Sequence, residues 1–537
     1  MPLVSVSPAK IEPPGQTTPP PSQSSLAREG LPILVATLIS RPLGFVREAV
    51  QAALFGASRV TDIFVIAYNL PEMIQTLLFS GVLSNFFVPV ITRYREHRDE
   101  LSTIFSVTMN GAIALALILA GFCYFAAPGI ITLAAPGLNE ANREFAIFLF
   151  RLMLPMLVLH CLLSVMKGTL NSIGHYAMPE YAGVYFNVVV IMCALALAAP
   201  YGIMSLAIGV VVGSVVQVVI QIPVLPQKGI RYQPWAGFAH PALREMQGLV
   251  LGAIVATAVV PVNAFIARSM ASTLPEGSVS ALAYAFRIFM LPVSLFAVPV
   301  YTVLLTDLST AQHSGAQQRF KEQAAAGLSL LFALALPATA LLIALATPIV
   351  RLLYERGQFT PADVTLTSQA LIAYGVGALA YGTSQVMVRL FNAQKDTRTP
   401  AWVGVGSIAV SAIGNWSLMQ VWGHWGIALV TSLVSYANTF VLYAIFRHQY
   451  GPLNEALLTR RFLIHLLLAI ALGMTVFFLG KPLSIMAGSL MTPWRVLYVI
   501  GVLATGGGMY LALGLICKVD EVVTLYRKVV GRFLRVG

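Results

Sequence analysis

The chain has 537 residues, of which 58% are hydrophobic and only 10% charged, whereas about a quarter of the residues in an ordinary soluble protein are charged. That balance excludes a water-soluble globular enzyme and makes lipid the expected solvent. The formal net charge of +12 invites a nucleic-acid partner, but the placement of the basic residues argues against one.

Met1 to Ser25 is rich in Pro and Ser, too poor in apolar surface to fold, and lacks the apolar region and cleavage site of a signal peptide. Residues 1–28 therefore read as a disordered cytoplasmic tail. Apolar runs then recur to the C-terminus, each able to satisfy its backbone internally as a helix. They fall at 31–57, 60–92, 101–127, 145–170, 181–199, 204–225, 246–268, 278–306, 324–346, 365–388, 400–421, 425–446, 462–479 and 496–516. At a minimum of roughly 18 residues per run, these are about fourteen transmembrane helices. Gly/Pro turns at 200–203 and 422–424 are where neighbouring runs merge or split. Ten-residue blocks of alternating polarity are absent, which argues against a β-barrel.

The expected fold is an all-α polytopic membrane protein. It divides into a first six-helix lobe (29–226), a cytoplasmic linker (227–245), a second six-helix lobe (246–447), two additional helices (448–517) and a basic cytoplasmic tail (518–537). Of the 33 Lys and Arg, about 22 fall on the side of the N-terminus, about 6 opposite and about 5 within spans. The first group includes Arg93, Arg95 and Arg98, then Arg389, Lys395 and Arg398, then Arg460 and Arg461. This is the positive-inside pattern, with both termini cytoplasmic. The tail from Lys518 to Arg535 suits anionic headgroups and plain solvation equally well. Cys123, Cys161, Cys193 and Cys517 show neither disulfide nor metal spacing.

At an offset of 221 residues the halves coincide: Asn171 with Asn392, Pro179 with Pro400, Tyr181 with Trp402, Gly183 with Gly404, Val184 with Val405, and Leu70-Pro71 with Leu291-Pro292. Chance matching in an apolar sequence is the competing reading, but the shared register favours duplication. An even number of spans separates the matched segments, so the repeats are parallel, a transporter architecture with the substrate path between lobes.

Polar residues within the spans mark a site. An arginine at mid-bilayer costs about 2.5 to 3.5 kcal/mol on insertion scales, yet Arg41 and Arg47 stand in the first span and Arg287 in the eighth. At helical periodicity Ser40, Gly44, Arg47 and Gln51 share one face, and Arg41 and Glu48 another. The second span carries Asp62, Asn69 and Thr76 at seven-residue spacing, with Glu72 and Gln75 nearby. Gly44, Pro71 and Pro292 are the expected hinges or helix breaks. Excess cation favours an anionic ligand. The alternative is that Arg41 with Glu48, or Arg47 with Asp62, forms a neutral helix-locking pair. Arg151 and Lys167 read more weakly, Lys167 as a snorkelling chain, and His160 and His465 as hydrogen-bonded packing groups. No HExxH, Walker A or GxSxG pattern occurs.

An ordered series of motifs carries a resemblance over about residues 30 to 525. It runs through Ser40-Arg41-Pro42-Leu43-Gly44-Phe45-Val46-Arg47-Glu48, Leu54-Phe55-Gly56-Ala57, Thr61-Asp62-Ile63-Phe64, Leu70-Pro71, Gly81 and Phe87-Val88-Pro89. It continues with Tyr354-Glu355-Arg356-Gly357-Gln358-Phe359-Thr360 and Asp396-Thr397-Arg398-Thr399-Pro400. These resemble the MurJ/MviN-like lipid II flippase family, within the multidrug/oligosaccharidyl-lipid/polysaccharide exporter superfamily.

The resemblance implies flipping of undecaprenyl-diphosphate-linked peptidoglycan precursor across the bacterial inner membrane by alternating access, in cell-wall biogenesis, without nucleotide hydrolysis or a cofactor. It implies coupling to membrane potential or an ion gradient and proximity to the cell-wall synthesis machinery. It also implies cavity roles for Ser40, Arg41, Arg47, Asp62 and Arg287; on the reading of the residues, Arg41, Arg47, Arg287 and Ser40 bind the diphosphate, Asp62 orients an arginine, and Glu48, Asn69, Gln75 and Thr76 line the cavity or pair charge. Where family members commonly carry a basic pair and then an acid in the second helix, this chain has Gln75, Thr76 and Ser80; acidic neighbours usual around Arg287 are replaced by Phe286 and Met290. Those departures keep open export of another polyprenyl-linked glycan or of drugs, and a transport-incompetent cell-wall scaffold. A membrane-embedded glycosyltransferase or phosphatase would need an acid, His or metal-ligand cluster beside a loop, which the sequence lacks.

Overall fold

A computed structural model of the chain describes residues 23–77, 91–92, 94, 97–236, 258–294, 317–487, 492–517, 519 and 521–523. Its first half holds α1 (Gln23–Phe55), α2 (Arg59–Gln75), α3 (Arg98–Ala134), α4 (Glu140–Ser172), α5 (Ala177–Tyr201), α6 (Met204–Val219) and the short α7 (Val224–Gln227). The second holds α8 (Ala258–Ala271), α9 (Ser278–Pro292), α10 (Gln317–Ala344), α11 (Ala346–Tyr354), α12 (Pro361–Val376), α13 (Ala378–Ala393) and α14 (Arg398–Tyr450), followed by α15 (Glu455–Ala487) and α16 (Thr492–Ile516).

Among the described residues, eight helices are long and apolar enough to cross a bilayer, and α12 with α13, bent by 44°, makes a ninth. α14 contains two of the expected spans, joined through Gly423. The expected spans 60–92, 246–268 and 278–306 are only partly described, and Ser80, Gly81, Phe87-Val88-Pro89, Arg93 and Arg95 lie outside the described residues, as do 237–245 of the linker. α1 is helical from Gln23, so the last six residues of the segment expected to be disordered, 23–28, are helical. The described part of the linker folds back on α3, where Ser102 and Ser106 hydroxyls accept the N–H groups of Arg231 and Gln233.

Large side chains such as Phe125, Phe440 and Phe478 point outward from the bundle at 82%, 75% and 66% exposure. In water such a surface would be a liability; against acyl chains it is the required one.

The duplication is visible in the backbone. α4 and α12 start 221 residues apart, as do α5 and α14. Gly202 and Gly423, also 221 apart, both turn the chain at positive φ (53° and 57°), and Gly174 at φ 81° corresponds to Lys395 at φ 60°. Lys395 is the only non-glycine residue with positive φ among those described. Packing follows suit: α2 lies on α4 as α9 lies on α12.

The additional helices attach through α10, which α15 packs along. Arg461 of α15 pairs with Glu521 at 2.7 Å, and the Ser329 hydroxyl of α10 donates to the same carboxylate oxygen at 2.7 Å. His465, fully buried, meets the Tyr510 hydroxyl at 2.8 Å. Because that hydroxyl donates its proton to the Ala333 carbonyl at 2.8 Å, His465 must donate from Nδ1, which is the packing role expected of it. The start of the expected basic tail is therefore partly docked: Val519 and Val522 are buried against α15 and α16, because two valines and a paired glutamate gain more from this surface than from headgroups. Lys518 and Arg535 lie outside the described residues.

Asp396, in the turn before α14, accepts the N–H groups of Arg398 and Thr399 at 3.0 Å each and the Thr399 hydroxyl at 2.6 Å. Slight burial pushes its carboxyl up, but these bonds and the Arg398 charge outweigh that and hold it below the ordinary 3.8. Its contribution to stability is then complete above the unfolded value and is lost as pH falls through the lower folded one. Asp396→Ala should cost about 1 kcal/mol, the usual worth of a helix cap, and Asp396→Asn much less. Thermal unfolding in detergent at neutral pH and near pH 3 checks both, with the gap between wild type and Asp396→Ala closing at the lower pH.

Candidate functional site

The two halves meet tightly at one end of the bundle, opposite the start of α1. At this distal end the turns 56–58, 135–139, 272–277 and 355–360 converge. Gln358 N–H donates to the Ala53 carbonyl at 2.8 Å. Neighbouring Gly357, at φ 57°, lies so close that a Cβ there would sit 2.2 Å from that carbonyl oxygen. Gly277 (φ 83°) approaches the Ala57 carbonyl in the same way, where a Cβ would sit at 2.4 Å. The motif from Tyr354 to Thr360 thus serves as the wedge that docks one half on the other. Thr360 and Asp363 set its exit by a reciprocal capping box at the start of α12.

Asp62 of α2 is the polar centre of this closure. Its Oδ2 accepts the Gly277 N–H at 2.8 Å, and its Oδ1 accepts both the N–H and the hydroxyl of Ser280, each at 2.8 Å. A carboxylate of one half therefore caps the N-terminus of α9 in the other, where unsatisfied N–H groups and the helix dipole favour a negative charge. This corrects two expectations: Asp62 neither orients an arginine nor pairs with Arg47, because three donors of α9 occupy it.

Deeper in the bundle, Arg287 of α9 donates from Nε to Oε1 of Glu48 on α1. Arg47 Nη2 stands 3.6 Å from the same oxygen, and its guanidinium lies 5.7 Å from the Phe186 ring centroid. Two cations from opposite halves share one carboxylate, which leaves the cluster with net positive charge. The other Glu48 oxygen is buried without a hydrogen-bond partner among the described residues. Glu48 does not pair with Arg41, as one reading of the sequence allowed. Arg41 is exposed, about two turns before Glu48 on the same face of α1.

The remaining expected residues divide. Ser40 faces α5, where a Cβ on Gly183 would lie 3.1 Å from its hydroxyl, so it belongs to helix packing within the first half. Gly44 has open space around it and α1 runs through it unbroken, so it does not break the helix in this conformation. α2 is also continuous through Pro71 and widens to a π-helical turn only at Thr76 and Leu77. Pro292 closes α9 and a similar turn follows. Asn69 donates to the Val65 carbonyl of its own helix at 2.6 Å, and Gln75 to the Ser164 hydroxyl at 3.5 Å. Lys167 is ion-paired with Glu180 at 2.8 Å rather than snorkelling, since Glu180 in the first turn of α5 is the nearer partner. Arg151 donates to the Tyr124 carbonyl at 3.1 Å and covers that ring, and His160 bonds the Ser214 hydroxyl at 3.1 Å. The sequence reading missed the docking glycines and Ser280; the signal available for the former was the glycine inside the 354–360 motif.

Comparison with known proteins sets this geometry in context. The family model described as lipid II flippase MurJ matches residues 51–498. The probable lipid II flippase MurJ of Rhizobium meliloti is 32% identical, over 91% of this chain and 93% of that protein. The corresponding protein of Vibrio cholerae is 30% identical, over 78% and 82%. Among solved structures, an inward closed conformation of lipid II flippase MurJ superposes with a TM-score of 0.77 at 26% identity, covering 91% of this chain and 99% of that one. An inward-facing multidrug transporter of the MATE family shares the fold, with a TM-score of 0.67 at 13% identity over 79% and 99%.

Asp62→Asn keeps an acceptor but removes the charge from the α9 cap, a loss of about 2 kcal/mol of closure. The expected outcome is faster amide hydrogen exchange over 272–280, roughly tenfold or more, with α12 unaffected; unchanged exchange would remove Asp62 as the latch. Gly44→Ala should leave both exchange and stability unaltered.

Proposed function

Because this chain belongs to the lipid II flippase MurJ family, we propose that it carries lipid II, the undecaprenyl-diphosphate-linked peptidoglycan precursor, from the cytoplasmic to the outer leaflet of the bacterial inner membrane by alternating access. The observation that carries this reading is the Arg47–Glu48–Arg287 cluster, which joins the two halves beneath a closed distal end. The distal end is the outer face and both termini are cytoplasmic, in keeping with the distribution of Lys and Arg.

In the empty carrier Glu48 holds the two guanidinium groups side by side and offsets their charge. An arriving diphosphate supplies several oxygens in the planar, forked geometry that arginine matches best, and competes with Glu48 for them. Arg41, exposed on α1, makes an early contact on the approach. The sugar-peptide head occupies the wet space between the halves while the prenyl chain stays in lipid. Bound ligand stabilises the state in which the halves draw together on the cytoplasmic side. Outward opening then requires the Asp62 cap and the Gly357 wedge to separate, so the ligand must bind the closed intermediate better than the inward one.

The cycle needs neither nucleotide hydrolysis nor a cofactor. An ion gradient or the membrane potential returns the empty carrier, one charge across 100 mV being worth about 2.3 kcal/mol. Delivery is to the cell-wall synthesis machinery on the outer face.

The decisive test depletes a bacterium of its own flippase, supplies this gene, and reads outer-leaflet lipid II by its accessibility to an external enzyme. Growth and surface lipid II should be restored; a well-expressed chain that restores neither would count against the proposal. Arg47→Ala and Arg287→Ala should each reduce flipping at least tenfold at normal abundance, the scale of one lost charge-assisted contact.

A further inference from the structure

α8 brings to the interface a basic side chain that the Arg47–Arg287 cluster does not use. Arg268 stands three residues before the end of α8 at Ala271, one helical turn beneath the distal closure. The residues beside it hold that closure: the Ser269 hydroxyl donates to the Leu133 carbonyl at 2.8 Å, and the Ser272 hydroxyl accepts the Gly137 N–H at 3.3 Å. Side chains lean toward a helix N-terminus, which here directs Arg268 away from the turns and into the bundle. There it lines a small cavity between the halves with Ile66, Asn69 and Met73 of α2 and Phe265 of its own helix. It is half-buried, and among the described residues it makes no hydrogen bond and no ion pair; Glu72 of α2 acts on it only at longer range.

A guanidinium withdrawn from water normally acquires acceptors, because its five N–H donors are costly to leave unmet. In this cavity the surrounding side chains are mostly apolar, so the protein offers few acceptors and the donors are open to water or to an anionic ligand. Opening the distal end has to break the Ser269–Leu133 and Ser272–Gly137 contacts, which follow Arg268 in the chain within about one turn. The passage therefore widens directly over its guanidinium.

We propose that Arg268 is a second anion contact on the cargo path, which takes up the diphosphate oxygens as they leave Arg47 and Arg287 and the distal turns part. This rests on the lipid II reading of the site. Arg47 and Arg287 form the loading position, and Arg268 the position nearer the exit. Hand-over between cations keeps the diphosphate paired throughout its passage through a medium of low polarity.

The test uses the full chain in lipid nanodiscs, with undecaprenyl diphosphate, complete lipid II and neutral undecaprenol as probes. Arg268→Gln should weaken undecaprenyl diphosphate binding on the order of tenfold, the loss expected for one charged hydrogen-bonding group, while undecaprenol binding is unchanged and Arg268→Lys is intermediate. Arg268→Cys modified with a cationic methanethiosulfonate should regain affinity and with an anionic one should not, a charge rescue that a purely structural role would not produce. Wild-type affinity in Arg268→Gln together with loss in Arg47→Gln overturns the proposal and leaves the loading site standing. Wild-type affinity in both variants overturns the diphosphate site itself. A defect seen with lipid II but not with undecaprenyl diphosphate assigns Arg268 to the peptide carboxylates and also overturns the proposal.

Discussion

A single carboxylate governs how the two halves stand against each other. Asp62 belongs to α2, yet its side-chain hydrogen bonds go to the start of α9. It thereby converts a helix end, which would otherwise present bare N–H groups to the interface, into the seat of the opposite half. The close backbone approaches at Gly277 and Gly357 lie at the same end of the bundle as that seat. The positions of Arg47 and Arg287 follow from it, since one is carried by α1, which leads into the turn before α2, and the other by α9 itself. Burying one carboxylate is tolerable because every donor it meets is a good one.

Much of the architecture was readable from the residues because lipid simplifies the rules. Apolar length announces a helix, and a fixed offset of 221 between Asn171 and Asn392 or Gly183 and Gly404 announces a duplication. The backbone repeats that offset at Gly202 and Gly423 and even at Lys395, where a lysine occupies the left-handed conformation its counterpart Gly174 adopts freely. What periodicity cannot supply is the partner of a polar group. Ser40 and Arg47 share a face of α1 by helical geometry and both lie against α5, yet only Arg47 also reaches the Glu48 carboxylate. Asp62 looked like a counter-ion for arginine because a helical wheel contains no second helix whose N-terminus could claim it. Pro71 looked like a break because its missing N–H was counted while the helix around it, held by packing, was not.

The motifs behave in the same divided way. Asp396 and Thr399 stand out in the sequence as strongly as any cavity residue, but they cap α14 and touch nothing else of consequence. The segment from Tyr354 to Thr360 is likewise mechanical, a wedge rather than a binding loop. Chemistry resides in fewer places: a glutamate shared by two arginines, with an arginine of α8 nearer the exit. The second helix contributes Gln75 and Thr76 where a more charged cavity would have bases, so the positive charge is concentrated on α1, α8 and α9.

The docking of Glu521 has a temporal side. Ser329 of α10 finds its carboxylate partner 192 residues later in the chain. At a synthesis rate of about 5 to 20 residues per second, that partner emerges roughly 10 to 40 s after Ser329 has been made. For that interval α10 sits in the membrane without the carboxylate its hydroxyl donates to, and α15 arrives first with Arg461, which donates to the Ser329 hydroxyl at 3.1 Å. The last described turn of the chain is thus a clasp that closes only after the whole second half has been made, and a ribosome that stalls or terminates before it would leave that half inserted but unfastened.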